Sequence, residues 1–204
     1  MNRQRLKQAE ADFLRRFPEG FADPGMVAIG KKHKMAKMIE QTQSCFAEKN
    51  FANVDQVVEN LVRVISRSSM VSMFEKPKFR EFANTLDAME KETLADGLQE
   101  RLYGDEAQGF EMITGLLQTR KLAKWSLVSI CPVYFRPDYD VYVKPTTVKK
   151  IIAEIELPNL QYKPTPSWGF YKTFREQINE LKQEVDSSLS PDSAAFTGFL
   201  MMSL

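Results

Sequence analysis

The stretch from Asp23 to Met35, DPGMVAIGKKHKM, decides between two kinds of fold. Gly25 and Gly30-Lys31 stand at the GxxxxGK spacing of a phosphate-binding loop, which would make this an α/β nucleotide-binding chain. Such a loop follows a buried strand, turns Gly-rich backbone N–H groups toward phosphate, and needs a Ser or Thr after its lysine to hold magnesium. Here Glu19-Gly20-Phe21-Ala22-Asp23-Pro24 does not read as a strand, Met26-Val27-Ala28-Ile29 is apolar rather than Gly-rich, and Lys32 occupies the Ser/Thr position. A helix-hairpin-helix DNA motif fails too, because its glycines stand closer together. The segment Phe21 to Gly30 therefore reads as a connection, with Asp23-Pro24 suited to a cap and first turn, leading into a basic helix.

Outward from that stretch the period is helical. Leu6, Ala9, Phe13 and Phe17 give one apolar face, stopped near Pro18-Glu19-Gly20, and Met35, Met38, Ile39, Thr42 and Phe46 give the next. Asn53 and Gln56 form a capping-box pattern ahead of Val54, Val57, Val58, Leu61 and Ile65. Pro77 breaks the chain or opens a helix carrying Phe79, Phe82, Ala83 and Leu86. Leu94, Leu98 and Leu102 run to Gly104, and Asp105 can cap a helix bearing Phe110, Ile113, Leu116 and Leu117. The pattern changes near 131–145, where CPVYFRPDYDVYVKP holds three prolines, four aromatic residues and the β-favouring Val141-Tyr142-Val143, so helix is not expected there. Thr146 or Thr147 is the expected cap of a short helix through Ile151, Ile152 and Ile155. After a proline-rich connector, Ser167 precedes a helix with Phe170, Phe174, Ile178, Leu181 and Val185. Ser190-Pro191-Asp192 then opens a terminal helix bearing Phe196, Phe199, Leu200 and Met202, expected to pack into the core or a dimer interface. The expected fold is mainly α, a single multi-helix domain over 1–204 with one irregular, proline- and aromatic-rich segment.

Composition narrows the function classes. With 204 residues, 43% hydrophobic and 27% charged, the chain can bury a sizeable core, and no repeat or low-complexity tract interrupts it. The longest apolar runs, Leu127 to Val133 and Phe199 to Met202, fall far short of the roughly 18 residues of a membrane span, so no membrane partner is expected. Met1 leads into charged NRQRLKQ rather than a signal peptide, which makes a cytoplasmic protein the expectation. Cys45 and Cys131 lie far apart without a CxxC pair and read as reduced core residues. His33 is the only histidine, so a histidine-rich metal site or an HExxH helix cannot be built within one chain, and a Ser-His-Asp triad would have to use a ring surrounded by lysines. No cofactor is expected and no metal ligand is assigned, with an all-carboxylate cation site, for which Asp138 and Asp140 are available, as the alternative left open.

Charge is unevenly spread. Residues 1–37 carry nine Lys/Arg against four Asp/Glu, and residues 38–110 carry eight against thirteen. The basic cluster Lys31, Lys32, His33, Lys34 and Lys37 is a candidate contact for nucleic-acid phosphates or another polyanion at a helix start; the competing reading is a solvated face beside the acidic middle segment. The irregular segment is the second candidate, because loops with mixed charges and aromatics between packed elements often form pockets. There Arg136, Asp138, Asp140, Tyr142 and Lys144, with Trp168 from beyond the connector, could line a small-ligand or enzyme site, Asp138 and Asp140 serving as acid and base. Tyr139 and Thr146 belong to the same stretch, and Trp125 reads as a core anchor.

The strings DPGMVAIGKKHKM, SRSSMVSMFEKPKF, LAKWSLVSICPVYFRP, VYVKPTT and PDSAAFTGFLMMSL resemble those of a family of uncharacterised bacterial proteins, over nearly the whole chain. That resemblance implies a bacterial cytoplasmic protein with one continuous domain and transfers no catalytic residue. Two readings stay open: a helical binding or interaction module working through the basic cluster, as a monomer or homo-oligomer, and an enzyme or small-ligand protein with a pocket around 136–146.

Overall fold

Side-chain caps set many of the helix boundaries. In the computed structural model, which describes residues 1–204, Asn2 accepts from the Arg5 backbone N–H to start α1 (Arg3–Arg16), and Asp23 accepts from that of Gly25 to start α2 (Pro24–Gly30). Then follow α3 (Met35–Cys45), α4 (Val54–Arg67), α5 (Glu75–Asn84), α6 (Ala88–Tyr103), α7 (Glu106–Gln118), α8 (Trp125–Phe135), α9 (Pro145–Ile155), α10 (Trp168–Lys182) and α11 (Ser193–Ser203), with four short 3-10 turns and no strand. Asn53, Asp87, Asp105 and Asp192 cap α4, α6, α7 and α11 through side-chain oxygens, each removing an unpaired N–H of the first turn.

The predicted apolar stripes are the buried ones. Leu6, Ala9 and Phe13 of α1 are fully buried, as are Phe196, Phe199 and Leu200 of α11, and forty-seven buried apolar residues form one continuous core. Helix α11 packs against α1, α9 and α10, with the Phe13 and Phe199 rings edge to face at 5.4 Å. Burying each such ring stabilises the fold by about 1.5–3 kcal/mol. Trp125 is a core anchor, its indole N–H donating to the Lys163 carbonyl at 2.8 Å.

Four local expectations are corrected. The segment Phe21 to Gly30 is not a plain connection, because once Asp23 and Pro24 supply a cap and a preset φ the apolar run from Gly25 to Gly30 continues as α2. The irregular segment is narrower than 131–145: α8 carries Pro132 inside it and ends at Phe135, so only residues 136–144 lack helix. Pro132 is tolerated where ten of the helix's eleven residues are buried and tertiary packing overrides the lost hydrogen bond. Neither Thr146 nor Thr147 caps α9, which starts at Pro145 after Lys144 with no side-chain cap, since proline's missing N–H removes one donor that a cap would satisfy. Ser190 does not cap α11 either; the cap falls two residues later, on Asp192.

The crossing of α6 and α7 depends on glycine. A Cβ at Gly109 would sit 2.2 Å from the Arg101 backbone nitrogen and 2.5 Å from the Gly97 carbonyl oxygen. Only with hydrogen at that position can the two helices approach closely enough for Arg101 and Glu106 to meet. No helix is long and apolar enough to cross a membrane.

Candidate functional site

The two sequence candidates are regrouped by the fold. Lys32 and His33, from the basic cluster, line the same cavity as Tyr142 and Lys144, from the irregular segment. Lys31, Lys34 and Lys37 stay outside it and exposed, while Arg136 and Asp140 join a separate buried cluster. Asp138 is exposed, its backbone carbonyl accepting from the Lys182 ammonium at 2.9 Å. Asp138 and Asp140 thus do not form an acid and base pair.

The cavity holds about 540 Å³, within the range of small-molecule sites. Helix α2 forms one wall with Met26 and Ile29, and α11 forms the facing one, where Ala194, Ala195 and Gly198 leave room and Met201 and Met202 line the end. Helix α11 thus sends its large rings into the core and its small side chains toward the cavity. Met35 and Met70 complete an apolar, methionine-rich lining that can reshape itself around a ligand. Thr147, also in the wall, is only 8% exposed, and its hydroxyl has no hydrogen-bond partner.

The segment between α4 and α5 is pinned at three successive residues. The Ser68 hydroxyl bonds the Tyr134 phenol at 2.9 Å, Ser69 Oγ and His33 Nδ1 share a hydrogen bond at 2.8 Å, and the Tyr142 phenol donates to the Met70 carbonyl at 2.6 Å. His33 therefore clasps the turn after α2 to the α4–α5 segment. Burial lowers its pKa from the ordinary imidazole value, and the nearby charges of Lys32 and Lys144 lower it further. No carboxylate hydrogen-bonds the ring, so the Ser69–His33 pair lacks the orienting acid of a catalytic triad.

Charge at this mouth is uncompensated. Lys31, Lys32, Lys34, Lys37 and Lys144 form no ion pair, so the basic cluster does not dock on the acidic middle segment, whose Asp55 and Glu90 pair instead with Lys91 and Arg120. The one carboxylate in the cavity wall, Asp192, spends an oxygen on the Ala195 N–H at 2.7 Å, and burial raises its pKa.

The second cluster is closed on itself. Arg101 from α6, Arg136 after α8 and Arg175 from α10 surround Glu106 of α7 and Asp140. Arg136 Nε reaches Asp140 at 2.8 Å, Arg175 reaches Glu106 at 2.8 Å, and Arg101 donates to both carboxylates. The Tyr171 phenol donates to Asp140 at 2.9 Å. Burial opposes ionisation of both acids, but the guanidiniums outweigh it, so both carboxyl groups are held below the usual carboxylate range. The Arg101 and Arg175 guanidiniums lie 5.4 and 5.3 Å from the Trp168 ring centroid, so Trp168 belongs to this cluster and not to the lining of the α2–α11 cavity.

Reading the sequence missed Arg101, Glu106 and Arg175, as well as Ser69, Thr147 and the methionines of the cavity. A signal existed for two of the arginines: Arg101 follows Leu98 by three, and Arg175 follows Tyr171 by four, so both fall on stripes otherwise buried. Comparison with known proteins finds no matching family model, no matching curated protein and no matching solved structure.

Proposed function

We propose that this chain binds an amphipathic anion, an alkyl or acyl tail bearing one carboxylate or phosphate group, in the cavity between α2 and α11. The observation that carries this reading is the pairing of a methionine-rich apolar lining with the ammonium groups of Lys32 and Lys144, which form no ion pair, beside the ring of His33. A tail gains by leaving water for the lining, and the head gains from two ammonium groups at the mouth. The unpartnered hydroxyl of Thr147, in the same wall, is a further donor for such a head.

A polynucleotide contact through Lys31, Lys32, His33, Lys34 and Lys37 has less support, because the side chains interleaved nearby are the exposed aliphatics Val27 and Ile29 rather than arginines or stacking rings. Calorimetric titration and thermal denaturation with laurate, lauryl alcohol and an alkyl trimethylammonium of equal length test the proposal. Laurate at a hundred times its Kd stabilises by about 2.7 kcal/mol, which for a chain of this size raises Tm by roughly 5–10 °C. The alcohol binds more weakly and the cation weakest. Equal binding of all three, or of none, sinks the reading.

A further inference from the structure

We infer that the face formed by α2, the turn after it and the tip of the α4–α5 segment docks on the surface of an anionic lipid bilayer. In α2 the Val27 side chain is 48% exposed outside the cavity, and Ile29, at the cavity wall, is still 45% exposed. Directly after them come Lys31, Lys32, Lys34 and Lys37, none paired, and no acid occurs from Pro24 to Ile39. The α4–α5 segment also carries an apolar tip: Met73 and Phe74 are each 76% exposed, the largest exposures among the apolar side chains together with Met89, and Lys76 and Lys78 follow after Glu75, whose carboxylate accepts from the Ser126 hydroxyl. The His33–Ser69 bond joins the two segments, and both border the cavity mouth.

Exposed aliphatic and aromatic side chains beside unpaired lysines match an interface in which apolar groups enter the acyl boundary and ammonium groups meet lipid phosphates. A nucleic-acid duplex would take the lysines but leave Val27, Ile29, Met73 and Phe74 against a charged backbone. That no helix spans a bilayer bears on crossing it, not on lying against it. The inference goes beyond the cavity reading and does not need it, although a bilayer is also where an amphipathic anion would be met.

Co-sedimentation of the full chain with phosphatidylcholine vesicles, and with vesicles also containing phosphatidylglycerol, tests it. The expected result is partition onto the mixed vesicles alone, weakening as salt is raised. Lys31→Ala/Lys34→Ala should weaken partition by about fivefold for each lysine removed, at about 1 kcal/mol per charge. Val27→Ser and Phe74→Ser should weaken it at every salt concentration. The control Lys49→Ala/Lys172→Ala, which removes the same charge from other exposed sites, should leave it unchanged. Equal partition onto both vesicle types overturns the inference, as does an equal loss in the control. So does binding of a duplex oligonucleotide that depends on Lys31 and Lys34 while vesicles are ignored. Since Val27, Lys31 and Lys34 line no part of the cavity, these variants keep any affinity for laurate, and either proposal can fail while the other stands.

Discussion

Between α6, α7 and α10 three guanidiniums face two carboxylates and a phenol, with nearly every donor engaged. Between α2 and α11 two lysines and a histidine face a single carboxylate that is already capping a helix. The first set spends both of its carboxylates on its own guanidiniums, at a net charge of +1 with Arg101 Nε left unpaired, and its packing makes it architecture. The second leaves its charge unanswered beside an apolar hollow, and that incompleteness is what a ligand can satisfy. Each prediction below acts on one region and should spare the other.

The largest effect should follow Asp140→Ala. Asp140 is fully buried, and its loss would leave Arg101, Arg136 and Arg175 sharing only Glu106. Uncompensated buried charge costs about 3–5 kcal/mol, so Tm should fall by roughly 6–20 °C in a thermal melt. Laurate binding by the protein that remains folded should persist. If Asp140→Ala melts like the parent but loses laurate, the roles of the two regions are exchanged.

Acid should dismantle the same cluster. Glu106 and Asp140 have folded pKa values below their unfolded ones, so the stabilisation they give is full above the unfolded carboxylate range near pH 4. It is lost as pH falls through that range toward the folded values, since the unfolded chain takes up protons first. Urea midpoints measured from pH 7 down to pH 3 should drop mostly below about pH 4.5, and Glu106→Gln should flatten the drop.

Gly198→Leu probes the cavity from the opposite side. The position sits on the cavity-facing side of α11, where a Cβ would meet only Phe21, at 3.9 Å. Leucine should narrow the hollow and weaken laurate binding, while the gain of about 1 kcal/mol in helix propensity keeps Tm at or above that of the parent. A variant that still binds laurate with parental affinity would place the ligand elsewhere. Lys144→Ala is milder: the ammonium is exposed and unpaired, so stability should move by no more than about 0.5 kcal/mol, while laurate affinity falls about tenfold by calorimetry.

The contrast between the regions also explains what the sequence could and could not disclose. Helices were legible because their apolar stripes are local, repeating at three and four residues with Asn53, Asp105 and the 190–192 stretch near their starts. Pro132 misled because its local penalty is overridden by burial that only the tertiary fold supplies. Charged residues were legible as candidates but not in their grouping: Arg136 and Lys144 are eight positions apart, yet one joins the ion cluster and the other the cavity. The backbone that separates them is held by distant partners, with Asn179 donating to the Tyr139 carbonyl and Ser193 to that of Pro137. No local pattern encodes those contacts. Gly109 is similar, since its need for hydrogen arises only where α7 meets α6.

The smallest and most specific effect concerns His33. Its folded pKa lies below the ordinary imidazole value near 6.5, because the site is half-buried and faces Lys32 and Lys144; Ser69 bonds the ring without charge, and Asp192 across the cavity is engaged in its cap. As pH falls below about 6.5 the unfolded chain accepts a proton that the folded ring resists, so His33 subtracts a little stability on the acid side. A bound anion reverses the sign locally: it favours the imidazolium, raises the pKa of the ring, and draws a proton in with the ligand. Affinity should therefore increase from pH 7.5 to pH 5.5. An alkyl sulfonate is the right probe because its head does not titrate in this range, so any slope belongs to the protein. Calorimetry in two buffers of different ionisation enthalpy should register proton uptake on binding near pH 6.5, and His33→Gln should remove both the uptake and the slope while leaving Lys32 and Lys144 to hold the head. A slope that survives His33→Gln would assign the proton to another group, with Asp192, whose pKa burial raises, as the remaining titratable carboxyl in the wall.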